Sequence, residues 1–153
     1  MSDKILKDLF LQGEIKLSLL PEELLNDKEF IKELLAKEPY LYLILKDDFK
    51  NDIEICKIVV MHKFDLYKHF PLDIKTSKII ILLGIRSTNC SFEIFFEEGN
   101  ELLLLDEDFI TQCVAINGIF VQYLHEMKLL KEDLLILGIK ANNLVLNLFQ
   151  TEF

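Results

Sequence analysis

Two short segments decide the fold because they repeat one pattern 25 residues apart: Leu25-Asn26-Asp27-Lys28-Glu29-Phe30-Ile31 and Lys50-Asn51-Asp52-Ile53-Glu54-Ile55-Cys56. In each segment an Asp precedes a Glu and two apolar residues. An Asp at such a position caps a helix, because its carboxylate accepts a hydrogen bond from an unpaired backbone N–H of the first turn. The spacing therefore predicts a helical repeat of 25 residues.

The same position recurs along the whole chain. Steps of 25 residues, with one four-residue insertion near residues 97–100, give the anchors Ser2, Asp27, Asp52, Ser77, Asp106 and Lys131. All but Lys131 are Ser or Asp, which favour helix N-termini. Mostly apolar residues stand three, four, seven and eight positions after each anchor, a spacing that forms one face of an α-helix. Further apolar residues, fifteen and eighteen positions after each anchor, predict a shorter second helix.

Glycines agree with this repeat. Gly13 and the pair Asn117-Gly118 stand where the first helix of a unit should end, which is typical of C-cap residues. Gly84 and Gly138 share the seventh position after an anchor. There, a missing side chain would let a neighbouring helix approach closely, at a propensity cost of about 1 kcal/mol.

Helices this short are marginal alone in water, so each unit must be stabilised by packing on the units before and after it. We predict an all-α fold: a right-handed α-solenoid-like stack of about six 25-residue two-helix repeats. The repeats run through the whole chain, which predicts one helical-repeat domain over residues 1–153.

Composition narrows the class of partner. Hydrophobic residues make up 51% of the chain, and the mean hydropathy is +0.26, which argues against disorder and predicts surplus apolar surface for a protein partner. The net charge of −9 argues against nucleic acid. The longest apolar run, residues 79–85, is too short to span a bilayer.

Cysteine usage and the N-terminus bear on location. The three cysteines are an odd number without a C-x-x-C pair, and the chain starts without the layout of a secretory signal. These features predict the cytoplasm or another reducing intracellular compartment. A secretion route without a cleaved signal stays open.

The residues that could carry chemistry are dispersed. His62, His69 and His125 are well separated, whereas a metal site needs three or four convergent ligands. Cys90 is predicted to lie in a turn, but Asn89-Cys90-Ser91 does not resemble a nucleophile elbow. Adjacent carboxylates at residues 47–48 and 97–98 are typical of solvated turns. We predict no catalytic residue, no cofactor, no metal and no enzymatic activity.

Some positions that should face away from the core are apolar, namely the second, fifth, sixth and ninth after certain anchors. We predict that a protein partner binds along them: Ile58, Met61, Ile79, Leu82, Leu83, Arg86, Ile136 and Leu137. The competing interpretation is that curvature of the array covers these residues.

Three functions follow from these patterns. The first is a protein–protein interaction module, acting as an adaptor or inhibitor through this strip or a groove. The second is a small enzyme or ligand-binding protein with a cleft between repeats. The third is a structural homo-oligomer, which the apolar and apparently uncapped segment 144–149 would favour.

Residues Asp106 to Ile110 and Ala115 to Gly118 resemble a helical repeat known as domain of unknown function 4116, which reads Asp-x-Glu, an aliphatic helix and Asn-Gly. Asp27-Lys28-Glu29 and Asp52-Ile53-Glu54 are similar to its opening tripeptide, whereas Ser77 and Lys131 depart from it. The resemblance implies all-helical repeats that make contacts and no defined catalytic residue. It also implies a host-interaction or effector setting, with delivery into a host cell.

Overall fold

The structure, a computed structural model, describes residues 2–87, 90–97 and 99–149. This part of the chain is helical and contains no strand, so the all-α prediction is confirmed. The α-helices are α1 (Asp3–Leu11), α2 (Glu22–Leu25), α3 (Lys28–Lys37), α4 (Asp47–Lys50), α5 (Ile53–His62), α6 (Leu72–Lys75), α7 (Lys78–Ile85), α8 (Glu107–Ile116), α9 (Phe120–Glu126), α10 (Glu132–Ala141) and α11 (Leu144–Phe149). The 3-10 helices span Leu17–Leu19, Pro39–Ile44, Phe64–His69, Phe92–Phe95 and Glu101–Leu105.

Every anchor residue is the N-cap of a helix. We call these helices the anchor helices: α1, α3, α5, α7, α8 and α10. The carboxylate of Asp27 accepts hydrogen bonds from the backbone N–H groups of Glu29 and Phe30, at 3.1 and 3.3 Å. The Asp106 carboxylate accepts one from the N–H of Phe109 at 3.0 Å. The structure therefore confirms the helix starts that the 25-residue spacing predicts.

Anchor helices pack against one another in chain order, α1 on α3, α3 on α5, α5 on α7, α7 on α8 and α8 on α10. In α5 the core-facing residues Ile55, Cys56, Val59 and Val60 are fully buried. At the two ends of this order the same positions are less covered, since the residues of α1 are half-buried or exposed and those of α10 are mostly so. Burial thus depends on having a neighbour on both sides.

The description of each unit as two helices is incomplete. The first four units carry a third helical piece before the next anchor: α2, α4, α6 and the 3-10 helix Glu101–Leu105. Pro21 and Pro71 stand directly before α2 and α6, where a fixed backbone angle φ near −65° helps to start a turn. These pieces bury apolar residues such as Leu24 and Ile74, which is why they are helical rather than loose links.

The glycines act in two ways. Gly13 has a positive φ of 78° and ends α1, with its N–H donating to the Phe10 carbonyl at 2.9 Å, as predicted for a C-cap. Gly84 and Gly138 instead allow close packing: a Cβ at Gly84 would overlap the Phe95 ring, and one at Gly138 would lie 2.6 Å from Val121 Cγ1. The close approach predicted at these two positions is confirmed.

Asn117 ends α8 with an extended backbone, so the Asn-Gly pair does not use the left-handed C-cap predicted for it. Its buried side-chain amide donates to the carbonyl of Ile85 at 2.8 Å and joins the C-terminal ends of α7 and α8. Gly118 lies so close to the Gly138 carbonyl that an added Cβ would overlap it. Packing between neighbouring units, rather than a positive φ, therefore explains this pair.

Lysines link the N-terminal ends of successive anchor helices. The ammonium of Lys28 contacts the Asp52 carboxylate at 2.7 Å, and that of Lys78 contacts Asp106 at 2.7 Å. In each pair the lysine is the first residue of one anchor helix and the aspartate caps the next. A cap carboxylate therefore stabilises its own helix and also contacts the preceding unit.

Ser77 and Lys131, two of the three anchors that are not Asp, differ from the others together with the residue at the start of the preceding anchor helix. Lys131 pairs with Glu107, so the order of charges is reversed between α8 and α10. At the α5–α7 junction the anchor is Ser77, and the position that holds a lysine in α3 and α7 is the exposed Ile53. At Ser77 and Lys131, the residue that replaces Asp therefore matches the residue at the first position of the preceding anchor helix.

We expect Asp106→Asn to lower the melting temperature at pH 7 by a few degrees at most, because exposed ion pairs contribute little and Asn still caps a helix. The Lys78 ammonium, with the backbone N–H of Phe109, holds the pKa of the Asp106 carboxyl below its usual 3.8. The carboxylate therefore contributes stability above that pH, and the contribution is lost as the pH falls through the lower folded-state pKa.

Thermal unfolding from pH 2 to 7 should show the difference between wild type and Asp106→Asn shrinking at the acidic end. Asp108→Asn, an exposed change in the same first turn, is the matched control. An equal pH dependence for both variants would contradict the role of the Lys78 contact.

Candidate functional site

The eight residues predicted to bind a partner lie on three anchor helices. Ile58 and Met61 are on α5, Ile136 and Leu137 are on α10, and the other four are on α7 or at its C-cap. Half of the set is exposed: Met61, Ile79, Arg86 and Ile136. The other half is partly buried and packs against the core: Ile58, Leu82, Leu83 and Leu137.

Helix α8 divides this set. It lies between α7 and α10, and its outward positions carry the exposed polar residues Thr111 and Gln112. The residues on α10 are therefore separated from the rest. We call the remaining group the α5–α7 patch: Ile58, Met61, Ile79, Leu82, Leu83 and Arg86.

The outward face of α7 differs in polarity from that of α3. On α3 the second and fifth positions after the anchor hold Glu29 and Lys32, which form an ion pair at 3.0 Å. On α7 the same positions hold Ile79 and Leu82. The exposed Ile53 extends the apolar character at the junction that lacks a lysine–aspartate pair. The face of α7 thus exposes apolar atoms where α3 presents charges, and α5 between them carries the ion pair of Glu54 and Lys57 at the same positions.

A separate pocket of about 270 Å³ opens between α8 and α10. Its floor is apolar and comes from four different elements: Leu104, Ile110, Leu124, Leu129 and Leu134. Its rim is mixed, with the ion pair of Glu107 and Lys131 beside Asp133 and the exposed Leu105. We call it the α8–α10 pocket.

Leu129, which lines the pocket, lies in the segment between α9 and α10, where the fifth unit has no third helical piece. Three residues before the next anchor, the first four units place an apolar residue that packs in or against a core cluster: Leu24, Phe49, Ile74 and Leu103. The fifth unit has Lys128 instead, exposed and with a positive φ of 59°. Helix α9 ends there, as the Leu129 N–H donates to the Leu124 carbonyl at 2.8 Å. The next two residues, Leu129 and Leu130, are partly buried and pack against the core instead.

Sequence reasoning missed this pocket. The position three before each anchor, which is apolar four times and then lysine, indicates only that the fifth unit differs from the first four. Sequence reasoning also missed the role of Asn100, which lies at the four-residue insertion. Its buried amide donates to the Tyr67 hydroxyl at 2.8 Å and to the Lys75 carbonyl at 2.9 Å.

Residues 27–75 match the family described as Domain of unknown function (DUF4116). The matched segment runs from the N-cap of α3 to the end of α6, so the resemblance predicted from the sequence is confirmed there. No curated protein and no solved structure matches the chain. Among the described helices, none combines the length and the apolar character needed to cross a bilayer.

The DUF4116 segment contains α5, which forms one side of the α5–α7 patch, whereas α7 and the α8–α10 pocket lie outside it. The two candidate surfaces therefore use residues beyond the matched repeats.

The histidines and carboxylates are placed apart. His62 ends α5, His69 ends the next 3-10 helix and His125 is on α9, and all three are exposed. Within the described ranges, no group of three or more His, Cys, Asp or Glu side chains could hold a metal ion. Asp47 and Asp48 are exposed in the first turn of α4. Asn89, Glu98 and residues 150–153 lie outside the described part of the chain.

The three thiols are covered by protein. Cys56 and Cys113 are fully buried, and Cys90 is partly buried against the core. Burial raises the pKa of Cys90 and Cys113 to about 12 each and that of Cys56 to about 11. A raised pKa disfavours the thiolate, the form that reacts as a nucleophile.

We expect all three thiols to react slowly with Ellman's reagent at pH 8 in the folded protein, because burial raises their pKa above the ordinary 9 and so lowers the fraction of thiolate. Unfolding in guanidinium should release all three at the rate of a free cysteine. If the Cys90→Ser variant and the wild type are both modified fast, the reactive thiol is Cys56 or Cys113, and this expectation is contradicted.

We expect Lys128→Gly to raise the free energy of unfolding by about 0.5 kcal/mol, since a positive φ strains any residue with a Cβ. Chemical denaturation measures the change. Gln122→Gly is the matched control, because the same substitution within α9 should cost about 1 kcal/mol. Destabilisation by both variants would contradict the left-handed turn at Lys128.

Proposed function

We propose that the chain is a right-handed α-solenoid-like stack of about six 25-residue units, forming one domain. The N-caps at all six anchors support this arrangement, as does the packing of anchor helices in chain order. Ion pairs between the starts of successive anchor helices at three junctions add to this support. A stack of this kind presents a continuous surface, which suits protein recognition.

We propose further that the protein is an interaction module, an adaptor or inhibitor, whose α5–α7 patch contacts another protein. The observation that carries this proposal is the exposure of Met61 (53%) and Ile79 (44%) at outward positions of two adjacent anchor helices. Full burial of one large apolar side chain contributes about 1.5–3 kcal/mol. Two or three such residues at the centre of an interface are enough to dominate its affinity.

The charge of the chain adds a condition on the partner. With a net charge of −9, the protein repels acidic surfaces and attracts basic ones over several ångströms. Arg86 lies exposed at the edge of the α5–α7 patch and supplies a local cation there. The proposed partner therefore presents an apolar centre within a neutral or basic surrounding. The intracellular location and the host-interaction setting remain predictions.

The test combines two substitutions on exposed residues, Met61→Glu and Ile79→Glu. Both side chains are already half in water, so the charges should leave helicity and melting temperature nearly unchanged while they abolish complex formation. Changes at Leu82 or Leu83 are less informative, because these residues pack against the core and their replacement by Asp would also unfold the protein.

A partner is first captured on the wild-type protein from native cells and identified by mass spectrometry, and its dissociation constant is then measured for each variant. Ile44→Glu, on a different exposed face, is the matched control and should bind like the wild type. Unchanged binding by the double variant, or an equal loss in the control, would contradict the proposal.

A second copy of the chain is the alternative partner, favoured by the exposed Leu144, Leu146 and Leu148 on α11. Light scattering of the purified protein distinguishes self-association from binding of another protein. A stable dimer in the absence of other proteins supports self-association, whereas a monomer at about 100 μM contradicts it.

A further inference from the structure

Tyr123 on α9 differs from the two other buried tyrosines. The hydroxyl of Tyr42 donates to the Lys50 carbonyl at 3.0 Å, and that of Tyr67 donates to the Lys75 carbonyl at 2.7 Å. Tyr123 is only 7% exposed, yet no residue in the described part of the chain forms a hydrogen bond with its hydroxyl. The hydroxyl oxygen is not sealed from solvent, so its hydrogen-bond partner is water or a ligand.

Aromatic packing fixes the position of the Tyr123 ring. The ring stacks on that of Phe96, with the centroids 5.7 Å apart and the planes at 21°. Its centroid lies 6.0 Å from that of Phe92 and 5.6 Å from that of Phe120. Because a closely packed ring has little freedom to move, the hydroxyl is held in one place at the surface.

Three exposed carboxylates lie near this hydroxyl: Glu93, Glu97 and Glu126. Glu93 and Glu97 each directly follow one of the phenylalanines whose ring contacts Tyr123. Glu126 lies three residues after Tyr123 on α9, a spacing that places both side chains on one face of the helix. Burial raises the pKa of Tyr123, and the three carboxylates raise it further. The hydroxyl therefore stays protonated beside a concentration of negative charge.

These three carboxylates are not neutralised by ion pairs. No lysine, arginine or histidine in the described ranges lies within ion-pair distance of any of them. Three glutamates on the anchor helices, by contrast, each pair with a lysine: Glu29, Glu54 and Glu107. The surface around Tyr123 is thus acidic and open to a cation from outside the chain.

The immediate neighbours differ among the three carboxylates. Glu93 accepts a hydrogen bond from the Ser91 hydroxyl. Glu97 lines a small cavity together with Lys68 and Lys75, so cations of the chain lie nearest to it. The Glu126 carboxylate has neither a hydrogen bond nor an ion pair with any residue that the structure describes. Glu126 is therefore the carboxylate whose charge is most available to a ligand.

We propose that this surface binds the guanidinium group of an arginine in a basic segment of a partner protein. We call it the Tyr123 site: Glu93, Glu97, Tyr123 and Glu126. A guanidinium is planar and has five N–H donors, so it can contact a hydroxyl and two carboxylates at once, whereas an ammonium is a compact charge with three donors. The net charge of −9 attracts a basic segment from a distance.

The spread of the carboxylates favours an organic cation over a metal ion. Within the described residues, no group of three or more His, Cys, Asp or Glu side chains converges closely enough to hold a metal. The Tyr123 site is also separate from the α5–α7 patch, because its residues come from α9 and from the 3-10 helix Phe92–Phe95 with the residues just after it.

The probe is an acetylated and amidated pentapeptide, Gly-Arg-Gly-Arg-Gly. The same peptide with citrulline in place of both arginines is its control, since citrulline has nearly the same shape and no charge. Titration of the arginine peptide into the ¹⁵N-labelled full chain at low salt should shift the backbone signals of Glu93, Tyr123 and Glu126. Exposed ion pairs are individually weak, so we expect a dissociation constant on the order of 1 mM. The citrulline peptide should cause no comparable shifts.

Two substitutions test the contacts. Tyr123→Phe keeps the packed ring and removes only the hydroxyl, so it should weaken peptide binding about threefold and leave the melting temperature unchanged. Glu126→Gln should weaken binding about three- to fivefold. Glu33→Gln is the matched control: it removes the same charge from an exposed position on α3 and should bind nearly like the wild type.

Three results would overturn the proposal. They are equal binding of the arginine and citrulline peptides, equal weakening by Glu126→Gln and Glu33→Gln, and wild-type affinity in Tyr123→Phe. None of them bears on the α5–α7 patch, whose partner is tested with Met61→Glu and Ile79→Glu.

Discussion

The structure depends on one constraint: an anchor helix of about ten residues can bury its apolar face only if helices lie on both sides of it. In α5 this condition is met, and Ile55, Cys56, Val59 and Val60 are excluded from water. In α1 and α10 one neighbour is missing among the described helices, and the same positions stay partly exposed. Stability is therefore shared between units rather than held in any single one.

Polar contacts fix how the units meet. Lysine–aspartate pairs join the N-terminal ends of successive anchor helices, while the Asn117 amide joins the C-terminal ends of α7 and α8. The buried amides of Asn117 and Asn100 contribute because carbonyls of the preceding unit satisfy their donors, which would be costly to bury unpaired. Since each such bond has one geometry, it selects a single packing among the many that apolar faces alone would allow.

Both candidate surfaces lie where the repeat is broken. The α5–α7 patch adjoins the junction with Ser77 and Ile53, which lacks a charged pair at that position. The α8–α10 pocket opens beside the segment between α9 and α10, in which Lys128 stands at a position that is apolar in the first four units. In a regular array, each unit packs against the next. A position that departs from the pattern without loss of packing is therefore available to contact a partner.

The sequence by itself determined the helical class, the start of every anchor helix and the close approach at Gly84 and Gly138, because a cap, an apolar face and a missing side chain are properties of one helix and its neighbour in the repeat. It did not determine that the linking turns are helical, that Asn100 reaches Tyr67, or that α8 divides the predicted strip. Nor did it reveal the α8–α10 pocket, although the lysine at position 128 was visible. These features depend on which side chains from separate units meet in space, and only the packed structure decides that.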